Sequence, residues 1–222
     1  ALDFESQETR ILFDEQRKIA SIKPAQRNDA HKLIEECMLV ANVATAQFLE
    51  VLEKPALFRV HEGPGAEKLE NLRAFLGELS LDLAGGLKPT PEHYQALLAA
   101  VEGRDDCPII QTMLLRSLSQ AVYQPENAGH FGLHYEAHAH FTSPIRRYPD
   151  LLVHRAIRAA IRVRGKANHI KRVKGATALK RERIYPYDTA AMAALGEHCS
   201  MTERRADDAT REVDAWLKCE FL

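Results

Sequence analysis

Residues 140–150 read His-Phe-Thr-Ser-Pro-Ile-Arg-Arg-Tyr-Pro-Asp and place hydroxyl and guanidinium side chains within a few positions of each other. Thr142 and Ser143 can donate hydrogen bonds from their hydroxyls, and Arg146 and Arg147 carry planar cations that bind phosphate oxygens through paired N–H groups. A proline and an apolar helical run follow, so the free backbone N–H groups of a helix start lie close by. The stretch therefore predicts a site that binds phosphate.

Histidines are concentrated just before this stretch: His130, His134, His138 and His140 fall within eleven residues. A metal site is one interpretation, but His134 and His138 have helical spacing whereas His138 and His140 have strand spacing, so no single conformation presents all four to one ion. No acidic or cysteine partner lies at a familiar spacing. We therefore favour local polar contacts or RNA contacts, on a strand or extended run over 131–139.

The residues of 140–150, followed by His154-Arg155, resemble the signature of the RNB catalytic domain of the ribonuclease II and ribonuclease R exoribonucleases. Three other blocks are similar to that family: 27–38 together with Ala41-Asn42, 129–133, and 199–207. The resemblance extends over nearly the whole chain and is greater to the bacterial ribonuclease R group than to ribonuclease II. It implies that residues 1–222 are the C-terminal portion of such a domain, an incomplete catalytic domain that begins inside the family pattern.

The resemblance also implies an activity, the processive 3′→5′ hydrolysis of RNA to nucleoside 5′-monophosphates. Arg146 matches the catalytic arginine of the family, which would stabilise the charge of the pentavalent transition state. Arg147, Thr142 and Ser143 are expected to hold neighbouring phosphates or to order the loop.

Four further residues are expected, by the same resemblance, to contact RNA. His140 and Tyr148 belong to the signature, and for Tyr148 support of the loop is the alternative. Glu35 matches a glutamate near the ribose of the last nucleotides, where a carboxylate can accept a hydrogen bond from a 2′-hydroxyl. Phe4 matches an aromatic residue that stacks on a terminal base.

The acidic cluster that holds Mg²⁺ in this family, aspartates spaced D-x5-D-x-D-D, has no match among the aspartates of the chain. Hydrolysis with metal assistance needs an ion that activates water and stabilises the leaving oxygen. We therefore expect the Mg²⁺-binding aspartates in a half of the domain that precedes Ala1, and we expect the chain alone to be inactive.

The expected partners are the single-stranded 3′ end of an RNA, the upstream half of the domain and flanking RNA-binding β-barrels. Two alternatives stay open. The chain is a non-catalytic RNA-binding or protein-interaction fragment, or it is a scaffold that depends on a partner chain carrying the aspartates.

The charge of the chain is nearly balanced, with 30 Lys and Arg against 31 Asp and Glu, so any signal for a polyanionic partner must be local. Residues 164–183 supply such a signal because they contain eight Lys or Arg and one Glu. The stretch is either a solvated basic loop or an electrostatic guide for the RNA backbone. It lacks aromatic residues other than one histidine, so it would guide RNA without stacking on bases.

The four cysteines lie far apart without a CxxC spacing, which predicts reduced, buried thiols in a cytoplasmic protein: Cys37, Cys107, Cys199 and Cys219. The sequence has no apolar run of membrane-spanning length and no signal peptide, so no membrane partner is expected. Hydrophobic content of 45% and charged content of 27% are typical of a globular protein.

The pattern of apolar residues predicts an α+β fold that is mainly helical, with a short N-terminal β-hairpin over 9–23. Asn28 or Asp29 can cap a helix that continues to about Glu53. Apolar positions cover most of the circumference of this helix, which predicts burial on nearly every side and makes Asn42 a satisfied polar group in the core.

Further helices are predicted over 66–81, 90–101 and 107–123, from Pro149 onward, and over 189–219. The residues of the last helix that we expect to be packed are Met192, Leu195, Cys199, Met201, Ala209, Val213, Trp216 and Leu217.

Overall fold

The computed structural model describes residues 9–52, 54–164 and 185–221. Within these ranges the chain forms six helices and two antiparallel sheets of two strands each, which confirms the predicted α+β, mainly helical class. In chain order the elements are β1 (Thr9–Phe13), β2 (Ile19–Pro24), α1 (Asp29–Val51), β3 (Phe58–Val60), α2 (Ala66–Glu78), α3 (Pro91–Ala100), α4 (Cys107–Ser117), β4 (Val122–Gln124), α5 (Tyr148–Arg164) and α6 (Thr189–Phe221).

The predicted hairpin is confirmed, since β1 pairs with β2 and Ile11 lies opposite Ile22. Helix α1 begins directly after Asn28. The Asn28 side chain accepts the His31 N–H at 3.1 Å, and His31 Nδ1 accepts the Asn28 N–H at 3.3 Å. This reciprocal capping box satisfies two backbone donors at the helix start.

The prediction that α1 is buried on nearly every side is wrong. Its buried residues lie in the C-terminal half of the helix: Asn42, Thr45, Ala46 and Leu49. Four apolar side chains are exposed by 60–66%: Leu33, Ile34, Val40 and Val51. Apolar periodicity identifies faces that can be buried, but burial also needs an element packed against each face. Among the described residues, α1 is covered mainly where Ala46 and Leu49 join the cluster formed with β3 and α5.

The predicted helix over 107–123 is too long, because α4 ends at Ser117 and Val122–Gln124 forms strand β4. Strand β4 pairs antiparallel with β3, with Val60 opposite Val122. Valine and tyrosine favour strands, and β3 offers a free edge for pairing. Pairing with β3 therefore determines that this segment is a strand, although its apolar pattern is also compatible with a helix.

Helices α2, α3 and α4 form a scaffold around one apolar cluster, as the sequence predicts. Its largest fully buried side chains are Tyr94, Leu72, Leu76, Leu83, Ile110 and Leu114. The Tyr94 hydroxyl is paired with the Ser117 hydroxyl at 2.9 Å, which satisfies both groups inside the cluster.

Helix α6 lies directly against β4. A Cβ atom on Gly196 would meet the Tyr123 carbonyl oxygen at 2.5 Å, so the close approach requires glycine here. The Ser200 hydroxyl accepts the Tyr123 N–H at 2.9 Å and donates to the Gly196 carbonyl at 2.8 Å. A helix thus satisfies a strand donor that another strand would otherwise pair.

The second half of α6 is not packed as predicted. Met192 and Cys199 are buried, but Met201, Val213 and Trp216 are exposed. Nearly every residue of α6 after Arg204 is exposed, because the helix extends past the described elements that cover its first half.

The four cysteines are free thiols, as predicted, but only Cys199 is buried. The prediction of burial is wrong for Cys37 and Cys219, which lie on exposed faces of α1 and α6, and Cys107 is intermediate. None of the described helices is both long enough and apolar enough to cross a membrane.

Candidate functional site

The signature loop, residues 141–148, is anchored at its first residue by two helices. The Phe141 N–H donates to Asn42 Oδ1 at 3.1 Å, and the Phe141 carbonyl oxygen lies 2.9 Å from His154 Nε2. The rings of Phe141 and His154 stack with their centroids 4.2 Å apart. Asn42 is therefore a buried polar group with partners, as predicted, and α1 and α5 together fix where the loop begins.

A buried carboxylate anchors the rest of the loop. Asp150 has no exposed surface, and its Oδ1 accepts both the Ser143 N–H at 2.8 Å and an N–H of the Arg147 guanidinium at 2.8 Å. The Arg147 backbone N–H also donates to the Ser143 carbonyl oxygen at 3.1 Å. Of the two roles expected for Arg147, these contacts favour ordering of the loop.

Arg146 lies at the exposed tip of this loop. Its backbone N–H donates to the Ser143 carbonyl at 3.3 Å, while its guanidinium has no hydrogen bond or ion pair with any described residue. Tyr148, also exposed, follows two positions later. The loop therefore holds its backbone in place and presents to solvent a cation that no described side chain pairs.

Three polar atoms of this region are buried and have no hydrogen-bond partner in the part of the chain that the structure describes: Thr142 Oγ1, Arg147 Nε and Asp150 Oδ2. The Thr142 hydroxyl therefore lies under the loop surface, whereas Ser143 is partly exposed. The four polar residues expected at this site are brought together, but they differ in how far solvent reaches them.

The histidine run forms a cluster with a residue that sequence reasoning missed, His61 at the end of β3. Ring centroids are 5.0 Å apart for His61 and His130, 5.2 Å for His130 and His138, and 5.5 Å for His138 and His140. His134 lies apart and pairs with Glu92 at 3.0 Å. We call the four contacting rings the histidine cluster.

Polar contacts stabilise the histidine cluster. The sequence analysis favoured local polar contacts or RNA contacts over a metal site, and these contacts are of the first kind. His61 Nε2 lies 2.7 Å from the Ser119 carbonyl oxygen, and His138 Nε2 lies 3.4 Å from Asn42 Nδ2. Within 9–52, 54–164 and 185–221, no group of three or more His, Cys, Asp or Glu side chains is arranged to hold a metal ion.

Burial keeps the histidine cluster uncharged. It is the main reason that the pKa of His138 falls to about 4, with the Arg59 and Arg147 cations lowering it further. Burial likewise lowers the pKa of His130 to about 3 and that of His140 to about 2. Neutral imidazoles can exchange hydrogen bonds, but they offer no charge to a phosphate.

A polar network joins the cluster to α6. Arg59 donates to Glu203 Oε2 at 2.6 Å, and the Tyr123 hydroxyl donates to Glu203 Oε1 at 3.2 Å. The same hydroxyl lies 2.8 Å from His140 Nδ1, and burial raises the pKa of Tyr123, so it stays protonated. Glu203 and His140 lie in blocks that resemble the family, whereas Arg59 and Tyr123 carry no motif.

Two expected RNA contacts, Glu35 and Phe4, do not belong to the signature loop. Glu35 is half-exposed on α1 and forms an ion pair with Arg27. It precedes the loop anchor Asn42 by seven positions, so the two lie on the same side of the helix, about 10 Å apart along its axis. Phe4 and the side chains of the basic stretch 164–183 lie outside the described residues.

The mainly helical fold with its signature loop defines an RNB domain, and the RNB domain family model matches residues 1–163. The chain belongs to this family, which confirms the resemblance. It is similar to ribonuclease R of Vibrio cholerae, with 55% identity over 222 residues, which are all of this chain and 26% of that protein. With Escherichia coli ribonuclease R the identity is 50%, with the same coverage.

A solved structure agrees with these sequence comparisons. RNase R of Mycoplasma genitalium, in complex with ribose methylated single-stranded RNA, superposes with a TM-score of 0.81 at 26% identity. The match covers 98% of this chain and 32% of that chain. The chain spans about a quarter of the length of the two curated relatives.

Proposed function

We propose that residues 1–222 form the C-terminal portion of the catalytic domain of a ribonuclease R-like 3′→5′ exoribonuclease, acting in the cytoplasm. The parent protein hydrolyses RNA processively from a single-stranded 3′ end and releases nucleoside 5′-monophosphates. The observation that carries this proposal is the Arg146 guanidinium, which has no partner among the described residues and lies at the tip of a loop anchored on two helices. The single-stranded RNA bound to the Mycoplasma genitalium relative supports the choice of substrate.

The role proposed for Arg146 is stabilisation of the transition state. As water attacks a phosphodiester, negative charge grows on the non-bridging oxygens. A guanidinium beside them lowers the energy of the transition state more than that of bound RNA. Arg147 is held by Asp150, so among the described residues of the loop Arg146 is the cation free for this role.

The described residues do not fit a magnesium site. Mg²⁺ prefers several oxygen ligands, including carboxylates. Of the paired aspartates, Asp106 is bound by Arg104 and Asp208 by Arg211. We propose that the parent protein binds its divalent metal through aspartates upstream of this chain, and we assign no step to the metal here.

The remaining expected RNA contacts keep their proposed roles. Tyr148, Ser143 and Thr142 lie in the signature loop beside Arg146, and His140 leads into it. Glu35 and Phe4 would contact the ribose and the base of the last nucleotides. For Glu35 this role requires exchange of its ion pair with Arg27 for an RNA hydroxyl.

The exposed apolar face of α1 is the proposed contact with the upstream half of the domain. Leu33, Ile34 and Val40 are all more than half exposed there, and Phe13 of the hairpin adds a fourth exposed apolar side chain. Burying such side chains contributes roughly 1.5–3 kcal/mol each. The flanking RNA-binding β-barrels are proposed as further partners of the same protein.

The 222-residue chain alone is expected to release no nucleotides from RNA, because none of its aspartates matches the D-x5-D-x-D-D spacing of the Mg²⁺-binding cluster. The full-length protein is expected to be active in the same assay. The measurement is the Mg²⁺-dependent release of 5′-monophosphates from a 3′-labelled single strand, for the chain and for the full-length protein in parallel. Activity of the chain alone would contradict the division of the site, and inactivity of both would favour a non-catalytic RNA-binding fragment.

Neutralising four basic residues within 164–183 is expected to weaken RNA binding and to flatten its dependence on salt. Each lost phosphate contact removes roughly one unit from the slope of log affinity against log salt concentration. Fluorescence anisotropy at several salt concentrations measures that slope for the wild-type and substituted full-length proteins. An unchanged slope would mean that the stretch is only a solvated surface.

A further inference from the structure

We propose that Asp150 is a positioning residue that sets the place of Arg146 for phosphodiester hydrolysis. This inference rests on the proposed function and deepens it. Asp150 would not touch RNA, since its side chain is completely buried. It would act through the loop that it holds.

The two contacts of Asp150 Oδ1 lie on either side of Arg146 in the chain. One donor is the Ser143 backbone N–H, and the other is the Arg147 guanidinium, each at 2.8 Å. Between them, the N–H groups of Arg146 and Arg147 both donate to the Ser143 carbonyl, at 3.3 Å and 3.1 Å. Asp150 Oδ1 therefore links the two ends of the turn that carries the Arg146 side chain.

The direction of these contacts distinguishes Asp150 from an ordinary helix cap. It lies in the first turn of α5, where acidic residues are favoured by the helix dipole. However, its described hydrogen bonds go back to the signature loop and not to N–H groups of α5. Burying a carboxylate is costly unless it is paired and hydrogen-bonded, and here both partners belong to the loop.

Placement of this kind matters for catalysis, since a misplacement of about 1 Å can lower a rate about 100-fold. Asp150→Asn keeps the size of the side chain and a carbonyl oxygen for the Ser143 N–H, but it removes the charge opposite Arg147. In the full-length protein, this substitution is expected to lower kcat about 10–100-fold, and to change KM and RNA affinity by less than about threefold.

A double-mutant cycle separates positioning from general stability. If Asp150 acts through Arg146, then Asp150→Asn should have little further effect on kcat when residue 146 is already alanine. In the Arg146→Ala background it is therefore expected to lower the residual kcat by less than about threefold. An equal loss in both backgrounds would overturn the proposal, and so would a loss seen only in RNA affinity.

Asp188 provides a matched control, because its Oδ1 also accepts a backbone N–H at 2.8 Å, but from a residue of α6 and not from the signature loop. Asp188→Asn is expected to leave kcat unchanged. Circular dichroism and thermal unfolding check that each variant is folded. Should Asp150→Asn not fold, Arg147→Lys weakens the same contact, and its cycle with Arg146→Ala gives the same readout.

The outcomes also distinguish this inference from the proposed function. If the wild-type full-length protein hydrolyses RNA and the cycle is additive, the positioning role of Asp150 is wrong and the proposed function stands. If the wild-type protein releases no nucleotides, the proposed function is wrong and the role of Asp150 is wrong with it.

Discussion

Replacing Arg146 with alanine in the full-length protein is expected to lower the hydrolysis rate of bound RNA by about 10²–10⁵-fold, the range known for lost oxyanion donors and arginine fingers. The affinity for RNA should stay within a few-fold of wild type, because one exposed cation contributes little to binding of a long strand. Arg146→Lys should also be strongly impaired, since a single ammonium does not reproduce the planar fork of donors.

Single-turnover hydrolysis of a bound strand gives the rate, and anisotropy in Ca²⁺ or EDTA gives the affinity without turnover. Arg116→Ala is a matched control, because Arg116 is an exposed arginine on α4 in the helical scaffold. If Arg146→Ala abolished binding and left the rate for bound RNA intact, Arg146 would be a substrate clamp and the transition-state role would be wrong.

The free energy of unfolding of the chain is expected to fall by several kcal/mol when the pH is lowered from 7.5 to 5.5. The histidine cluster is neutral in the folded protein, with pKa values of about 4 for His138 and about 3 for His130, against the ordinary value of 6.5. The unfolded chain therefore binds more protons than the folded chain below pH 6.5, so stability is lost as the pH falls through that value. Each such histidine contributes a loss on the order of 1 kcal/mol at pH 5.5, so His130, His138 and His140 together account for a loss of several kcal/mol.

Urea unfolding at a series of pH values measures this loss. His138→Gln should remove part of the pH dependence, because a glutamine does not titrate. His134→Gln is the control substitution of the same kind, because His134 is exposed and lies outside the histidine cluster. A stability that is flat between pH 7.5 and 5.5 would contradict the neutral, buried state of the cluster.

Local signals in the sequence were sufficient to predict most of the helices and strands and to locate the signature loop. Asn28 caps α1 as its side chain predicts, and the motif around Arg146 located the exposed cation. Arg59, Tyr123 and His61 were missed because their contacts join distant positions: Arg59 reaches Glu203 across 144 residues, and His61 reaches Ser119 across 58. No spacing rule along the chain reports such a pairing.

The burial of side chains was predicted less well than the secondary structure. Leu33 on α1 and Trp216 on α6 occupy apolar faces of real helices, yet both are more than 60% exposed. The pattern of a helix records where apolar side chains lie, and the rest of the fold decides which of them are covered. The same limit explains β4, where a free strand edge overrides a helical pattern.

The pairing of Arg59 with Glu203 has a consequence for the timing of synthesis. At about 5–20 residues per second, a ribosome needs roughly 7–30 s to add the 144 residues that separate the two partners. Arg146 is added 57 residues before Glu203, so in the last part of that interval the nascent chain carries Arg146 while the network that ties Tyr123 and His140 to α6 has no Glu203 to close it. The network is therefore completed only after the part of α6 that carries Glu203 has been made.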